Sequence, residues 1–201
     1  MTKARTLADY VPFDPTGLLT SDSALDATKL TGDLPALDGS ALTGLDTGER
    51  LTHASWWYLT EDFSDSAVPI TSNLSEGIAM GSPMIETSGV FTFPSTGIWH
   101  VHFHCGWFGS TDQAEWLNAR IRHTADGQLS WQGIASGTST IQKTSTGTQA
   151  TVDTIINVTD VTNHKVAFAS EVEEVTITTR GASGSPKHTY MTFIRLGDAV
   201  E

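Results

Sequence analysis

Between residues 98 and 108 apolar and polar side chains alternate with a period of two. Trp99, Val101, Phe103 and Cys105 fall on one parity, and His100, His102 and His104 on the other. Successive side chains of a β-strand point to opposite faces, so this stretch predicts a strand with one core face. Its second face is polar but aromatic, suited to meet another protein rather than bulk water. A shorter arm, residues 89–93, precedes it as the other half of a strand pair. Pro94-Ser95-Thr96-Gly97 between them is turn chemistry.

The same period returns along the rest of the chain. Residues 53–60 (HASWWYLT) predict a first strand with aromatics on both faces, and residues 61–82 a long acidic, turn-rich loop with room for one short strand. Residues 115–123 put Leu117, Ala119 and Ile121 inward and Asn118, Arg120 and Arg122 outward. Asp126-Gly127 signals a two-residue hairpin turn, returning through Leu129 and Trp131 on the inner face. The Ser/Thr/Gly tract at 136–147 reads as a loop or a loosely packed edge. Residues 151–158 alternate again, with Val152, Thr154, Ile156 and Val158 inside. Residues 165–170, 172–179 and 189–196 complete the strands, with a loop at 181–186 before the last. No long segment carries a 3.6-residue apolar period, so helix is minor. Short strands at roughly 8–12-residue spacing predict an all-β fold, a sandwich or jelly roll.

Residues 1–50 break the pattern. Their only aromatics are Tyr10 and Phe13, and leucines are scattered among Asp, Gly, Thr and Ser. Such a segment cannot close a core and must order against something else. Lys29-Leu30-Thr31-Gly32 is echoed by Ala41-Leu42-Thr43-Gly44 twelve residues on. Three chains winding together could bury these leucines at a shared axis; a flexible linker is the plain alternative. The chain divides into an attachment and stalk segment, 1–50, and a head, 51–201.

Composition narrows the classes. One cysteine in 201 residues excludes an intrachain disulfide framework and fits maturation in a reducing cytoplasm. No apolar run is long enough to span a bilayer or to form a secretory core. A net charge of −12 argues against sequence-independent nucleic-acid binding, which needs a basic face, and an anionic membrane would repel the chain. Neither nucleic acid nor membrane insertion is expected.

Three stretches carry resemblances. Residues 29–45, KLTGDLPALDGSALTGL, resemble the L-P-A-L-D-G-S-x-L-T connectors of tail-fibre and appendage proteins of tailed bacteriophages. The start, Lys3-Ala4-Arg5-Thr6-Leu7-Ala8-Asp9-Tyr10, is similar to the R-A-R-D-L-A-D openings of structural proteins in phages of marine bacteria, departing at Thr6. These likenesses imply a virion protein assembled in the host cytoplasm and held to other virion proteins through Arg5, Leu7, Tyr10 and Phe13. Residues 89–103, GVFTFPSTGIWHVHF, resemble the G-x-F-x-x-P-x-x-G-x-Y-x-F-x-F signature of complement-type globular heads and tumour-necrosis-factor-like jelly rolls. Residues 190–196, YMTFIRL, resemble that family's closing strand. Residues 157–168 resemble one of its hairpins, with Thr162-Asn163-His164 standing in place of Gly-Asp. The likeness covers about residues 53–197 and implies a homotrimer whose inner-sheet aromatics meet around a threefold axis.

Candidate chemistry is sparse. His100, His102 and His104 project together and could ligate zinc, copper or nickel. No carboxylate or cysteine lies at obvious ligand spacing, which favours an interface stripe over a metal site. Cys105 falls on the core parity as an inert thiol. There is no G-x-S-x-G, H-E-x-x-H or phosphate-binding glycine loop. Glu171 and Glu173 share a parity and, with loop aspartates, could hold a divalent cation such as calcium; a solvated acidic surface is the simpler reading. Trp107, Phe108 and Trp116 flank the loop from Gly109 to Ala114, where aromatics stack sugars or close the sandwich.

The reading is a non-enzymatic virion fibre or appendage whose trimeric head binds a host surface glycan or protein. The receptor candidates are Trp107, Ser110, Asp112, Gln113, Trp116 and Asp126. A capsid-decorating or tail-structural subunit without a receptor is the first alternative, and a glycan-cleaving enzyme the second.

Overall fold

The computed structural model describes residues 51–182 and 184–201, and within them every regular element is a strand. The readings placed on residues 1–50, including Arg5, Leu7, Tyr10 and Phe13, lie outside the described residues.

The histidine-bearing stretch forms β6 (Gly97–Gly109), the strand on which one sheet is built. β9 (Thr146–Val158) pairs with it along its whole length on one side. On the other side β12 (Tyr190–Gly197) covers its first half and β11 (Thr178–Thr179) its end. The sheet continues from β12 to β1 (Ala54–Leu59) and β3 (Leu74–Met80), and from β11 to β2 (Phe63–Ser64). The second sheet runs β4 (Ile85–Thr87), β5 (Val90–Thr92), β10 (Lys165–Val172), β7 (Ala114–Thr124) and β8 (Gln132–Ile141). All the pairings are antiparallel, and chain neighbours repeatedly fall in opposite sheets, which is the jelly-roll pattern.

The core lies between the sheets and is set by parity. Trp99, Val101, Phe103, Cys105 and Trp107 of β6 are buried against Leu117, Ala119 and Ile121 of β7 and Val166 and Phe168 of β10. Phe91, Phe168 and Phe193 meet edge-on or tilted, with centroids 5.2–5.7 Å apart, and Phe103 joins them 5.0 Å from Phe168. These rings come from both sheets and lock the layers together, since each aromatic buries about 150–250 Å².

Four expectations are corrected. The two arms around Pro94 do not pair: β5 joins β4 and β10 in the second sheet, and residues 93–96 cross between layers. Trp99 fixes the crossing by donating its indole N–H to Ser95 O at 3.2 Å while its ring meets Phe93. The Asp126-Gly127 turn is longer than two residues. Leu129 is 88% exposed, and Trp131 lies under the outward-facing Arg122 guanidinium, 5.7 Å away. Residues 172–179 are not one strand: β10 ends at Val172, Ile177 N donates to Glu174 O in a turn, and only Thr178–Thr179 return as β11. Residues 61–82 contain the full-length edge strand β3, whose side chains are mostly exposed.

Candidate functional site

The face of β6 away from the core is the most organised surface among the described residues. Opposite partners in the ladder share a face, so His104 sits beside Thr151, His102 beside Asp153 and His100 beside Ile155. Across the other edge Tyr190, Thr192 and Ile194 of β12 stand beside the same three histidines. Trp56 and Tyr58 of β1 extend the row.

The rings form a continuous layer. Tyr190 stacks on His104 at 4.8 Å and 15° and on His102 at 5.9 Å and 28°. Trp56 lies 5.3 Å from Tyr58 and 6.4 Å from Tyr190. Gly77 in the β3 bulge leaves room for the Trp56 ring; a Cβ there would fall 2.2 Å from it. The Lys187 ammonium rests 3.6 Å from the Tyr58 ring centre. Ile155, 63% exposed, borders the layer.

Polar groups hold the imidazoles in place. His104 Nδ1 is 2.9 Å from Thr151 Oγ1, and His100 Nε2 is 3.6 Å from Asp153 Oδ1. Partial burial lowers the affinity of His102 for its proton below the ordinary histidine range, with Asp153 opposing and His100 reinforcing the shift. Burial does the same at His104, where neighbouring His102 adds to it and Gln149 opposes it. His102 and His104 are therefore biased toward their neutral forms on an aromatic face that also carries Asp153 and Lys187.

The three histidines are brought together, as their parity requires, but the stripe gathers no wider ligand set. Among the described residues no three His, Cys, Asp or Glu side chains are arranged to hold a metal ion. The calcium candidates are otherwise engaged. Glu171 accepts from Asn118 Nδ2 at 2.7 Å and pairs with Arg120 at 2.9 Å. Glu173 accepts the backbone N–H groups of Glu115 and Trp116. Cys105 is fully buried, and burial pushes its thiol up to about 12.

The receptor candidates do not form one site. Ser110, Asp112, Gln113 and Trp116 sit at one end of β7 and Asp126 at the other; eleven strand residues put these ends about 33 Å apart. Trp107 is corrected outright: it is 1% exposed, and its indole N–H donates to Ser170 Oγ at 2.8 Å inside the core. Asp112 accepts from the Thr176 and Thr111 hydroxyls, which hold its carboxyl below the usual range. Asp126 accepts from Ser130 and Thr124 and is drawn down to about 2. Asp126 ties its own loop, and Asp112 joins its loop to the one that carries Thr176. Trp116, 46% exposed, remains an open aromatic at the first end.

Sequence reasoning missed the surface beyond His104. Position 106 has the histidine parity but is glycine, and with Gly147 beside Phe108 it leaves a cleft of about 290 Å³. Gln149, Arg180 and His188 line it. The outward-parity glycine in a strand of large residues was the available signal.

No protein-family model matches the chain, and no curated protein sequence matches it. Solved structures do. Murine APRIL at pH 5.0 superposes with a TM-score of 0.54 at 11% identity, covering 72% of this chain and 98% of that one. The Eiger TNF structure from S. frugiperda gives 0.58 at 10% identity, covering 76% and 97%. The globular domain of the zebrafish complement 1qA protein aligns at 0.47 with 16% identity over 72% and 95%, too low a score to carry a fold assignment. The described head is a tumour-necrosis-factor-like jelly roll.

Proposed function

We propose that this chain is a non-enzymatic structural and binding protein of a bacteriophage virion, with a head that assembles as a homotrimer through the His100–His102–His104–Tyr190 face. One observation carries the assembly: a sheet whose inner face already supplies a complete core presents a second ordered aromatic layer outward. Half-buried rings held by Thr151 and Asp153 suit a partner surface, where aromatics are enriched and charge is depleted. Residues 1–50 attach the head to other virion proteins, the role their connector-like sequence supports. The buried thiol and acidic charge suit a particle assembled in the host cytoplasm.

The head has two possible tasks. Binding a host surface glycan or protein gains avidity from three identical sites. A capsid-decorating or tail-structural subunit without a receptor is favoured at the loops, because Asp112 is engaged by Thr176 of a neighbouring loop, Asp126 by its own turn, and Trp107 is internal.

Sedimentation equilibrium of the full chain at micromolar concentration tests the assembly. A trimer is expected, and a stable monomer removes the proposal's foundation. Gold-labelled antibody against the head, applied to intact phage particles, tests the virion assignment; particles without label overturn it.

A further inference from the structure

The cleft beyond His104 is a built feature. Along the outward parity of β6 the side chains run His100, His102, His104, then nothing at Gly106, then Phe108. The gap is enforced: a Cβ on Gly106 would stand 2.8 Å from His188 O, and one on Gly147 would stand 3.1 Å from Trp107 O. The His188 backbone closes over Gly106, so neither glycine position sends a side chain into the cleft. Arg180 N donates to Gly106 O at 2.8 Å, which fixes where the arginine leaves the chain. Its guanidinium then lies 6.0 Å from the centre of the Phe108 ring, within reach of a cation–π contact.

Arg180 is the only cation among the lining residues, and none of them is a carboxylate. The chain carries −12 overall. Among the described residues Arg120 and Arg195 have carboxylate partners, whereas no carboxylate pairs with Arg180. Gln149 and His188 also line the cleft. A planar cation steadied on an aromatic ring, beside an amide and an imidazole, matches a planar anion able to take two parallel N–H bonds. Volume limits the rest of the ligand. About 290 Å³ sits at the small end of the range for ligand pockets, room for one sugar-sized ring or a small organic acid.

We infer that the Gly106–Gly147 cleft is a binding site for a small carboxylate, with Arg180 as the principal anchor and Gln149 and His188 as secondary donors. Every lining group comes from one chain, so the site does not depend on the trimer proposed above. The carboxylate is supplied by a free small acid or by the acidic end group of a saccharide chain.

Calorimetric titration of the full chain at fixed ionic strength tests this, using glucuronate, a glucuronate-terminated oligosaccharide, acetate and uncharged glucose as probes. Glucuronate is expected to bind saturably and glucose not to bind. Tighter binding of the oligosaccharide than of glucuronate assigns a saccharide source, and equal binding assigns a free acid. Arg180→Gln should weaken glucuronate by about tenfold or more, and Arg180→Lys, which keeps charge but loses the fork, by less. Arg122→Gln, a cation outside the cleft, should leave binding unchanged. No binding of any carboxylate, or binding indifferent to Arg180→Gln in a variant with normal thermal unfolding, overturns the inference. Sedimentation of the same samples keeps the two readings separate: a trimer that ignores glucuronate defeats the cleft alone.

Discussion

Tyr190 and His104 face each other directly in the β12–β6 ladder, and their rings stack with centroids 4.8 Å apart at 15°. The register places the two residues side by side, and the shared outward parity leaves the rings nowhere to turn but onto each other. Both rings remain partly exposed in the single chain, so the stacked pair is a platform available to a partner.

Tyr190→Ser removes that platform without touching the core, since Met191 and Phe193 carry the inward side of β12. The subunit dissociation constant should rise by about 30-fold or more, the scale of losing one interface anchor worth ~2 kcal/mol. The melting temperature of the separated subunit should hardly move. Sedimentation velocity across a dilution series reads the first quantity. A variant that stays fully trimeric would place the interface elsewhere.

Acid should weaken the fold in two separate windows. His102, His104 and His123 all bind their protons less readily folded than unfolded, burial being the leading cause at each. Between the folded and unfolded values the unfolded chain takes up more protons. Stability is therefore full above the unfolded histidine value of about 6.5 and declines as pH falls below it. Asp112, Asp126 and Asp160 are shifted down by hydrogen bonds, so their contribution holds until pH drops below the unfolded aspartate value and is then lost. Thermal melts from pH 8 to pH 3 should show both declines. His102→Gln with His104→Gln should shrink the first to the share of His123 and spare the second.

Ser170 joins buried polar groups that have no access to water. Its hydroxyl accepts the Trp107 indole N–H at 2.8 Å and lies 2.7 Å from Thr179 Oγ1. Ser170→Ala leaves the indole without an acceptor and should cost about 1–3 kcal/mol in urea denaturation. Adding Trp107→Phe, which removes the orphaned donor, should cost less than the sum of the two single changes.

What the sequence disclosed follows the strength of alternation. β6 and β7 were legible because large apolar residues at every second position leave one way to face a core, and the three histidines followed from the same parity. Leu129 misled because a turn held by Asp126, Ser130 and Thr124 outweighs the preference of one leucine for burial. β3 was hidden since LSEGIAM is an edge strand with most of its side chains exposed and a bulge at Gly77, so it has no apolar face to announce it. Trp107 shows the ambiguity of an aromatic beside a loop: parity alone placed it inside, and its neighbours in sequence suggested a binding site. Gly106 was the one hint of the cleft, and its lining was illegible because Gln149 is remote in sequence from Arg180 and His188 and meets them only when β9 and β11 flank β6.

The division at residue 50 yields the last prediction. β1 begins at Ala54 and pairs on both sides, with β12 and with β3, so the first sheet needs the chain from there onward. The core residues from Leu59 to Phe193 complete a two-layer interior within 51–201. A chain starting at residue 51 should therefore unfold cooperatively, and if the His104–Tyr190 face is what associates, it should also form trimers. Lacking the connector-like segment, it should fail to enter particles when supplied in place of the full chain during infection. The informative outcome is a folded monomer from residues 51–201 beside a trimer from the full chain. That pair of results would move the trimer contact to the leucine repeat between Leu30 and Leu42 and leave the aromatic face free for another partner.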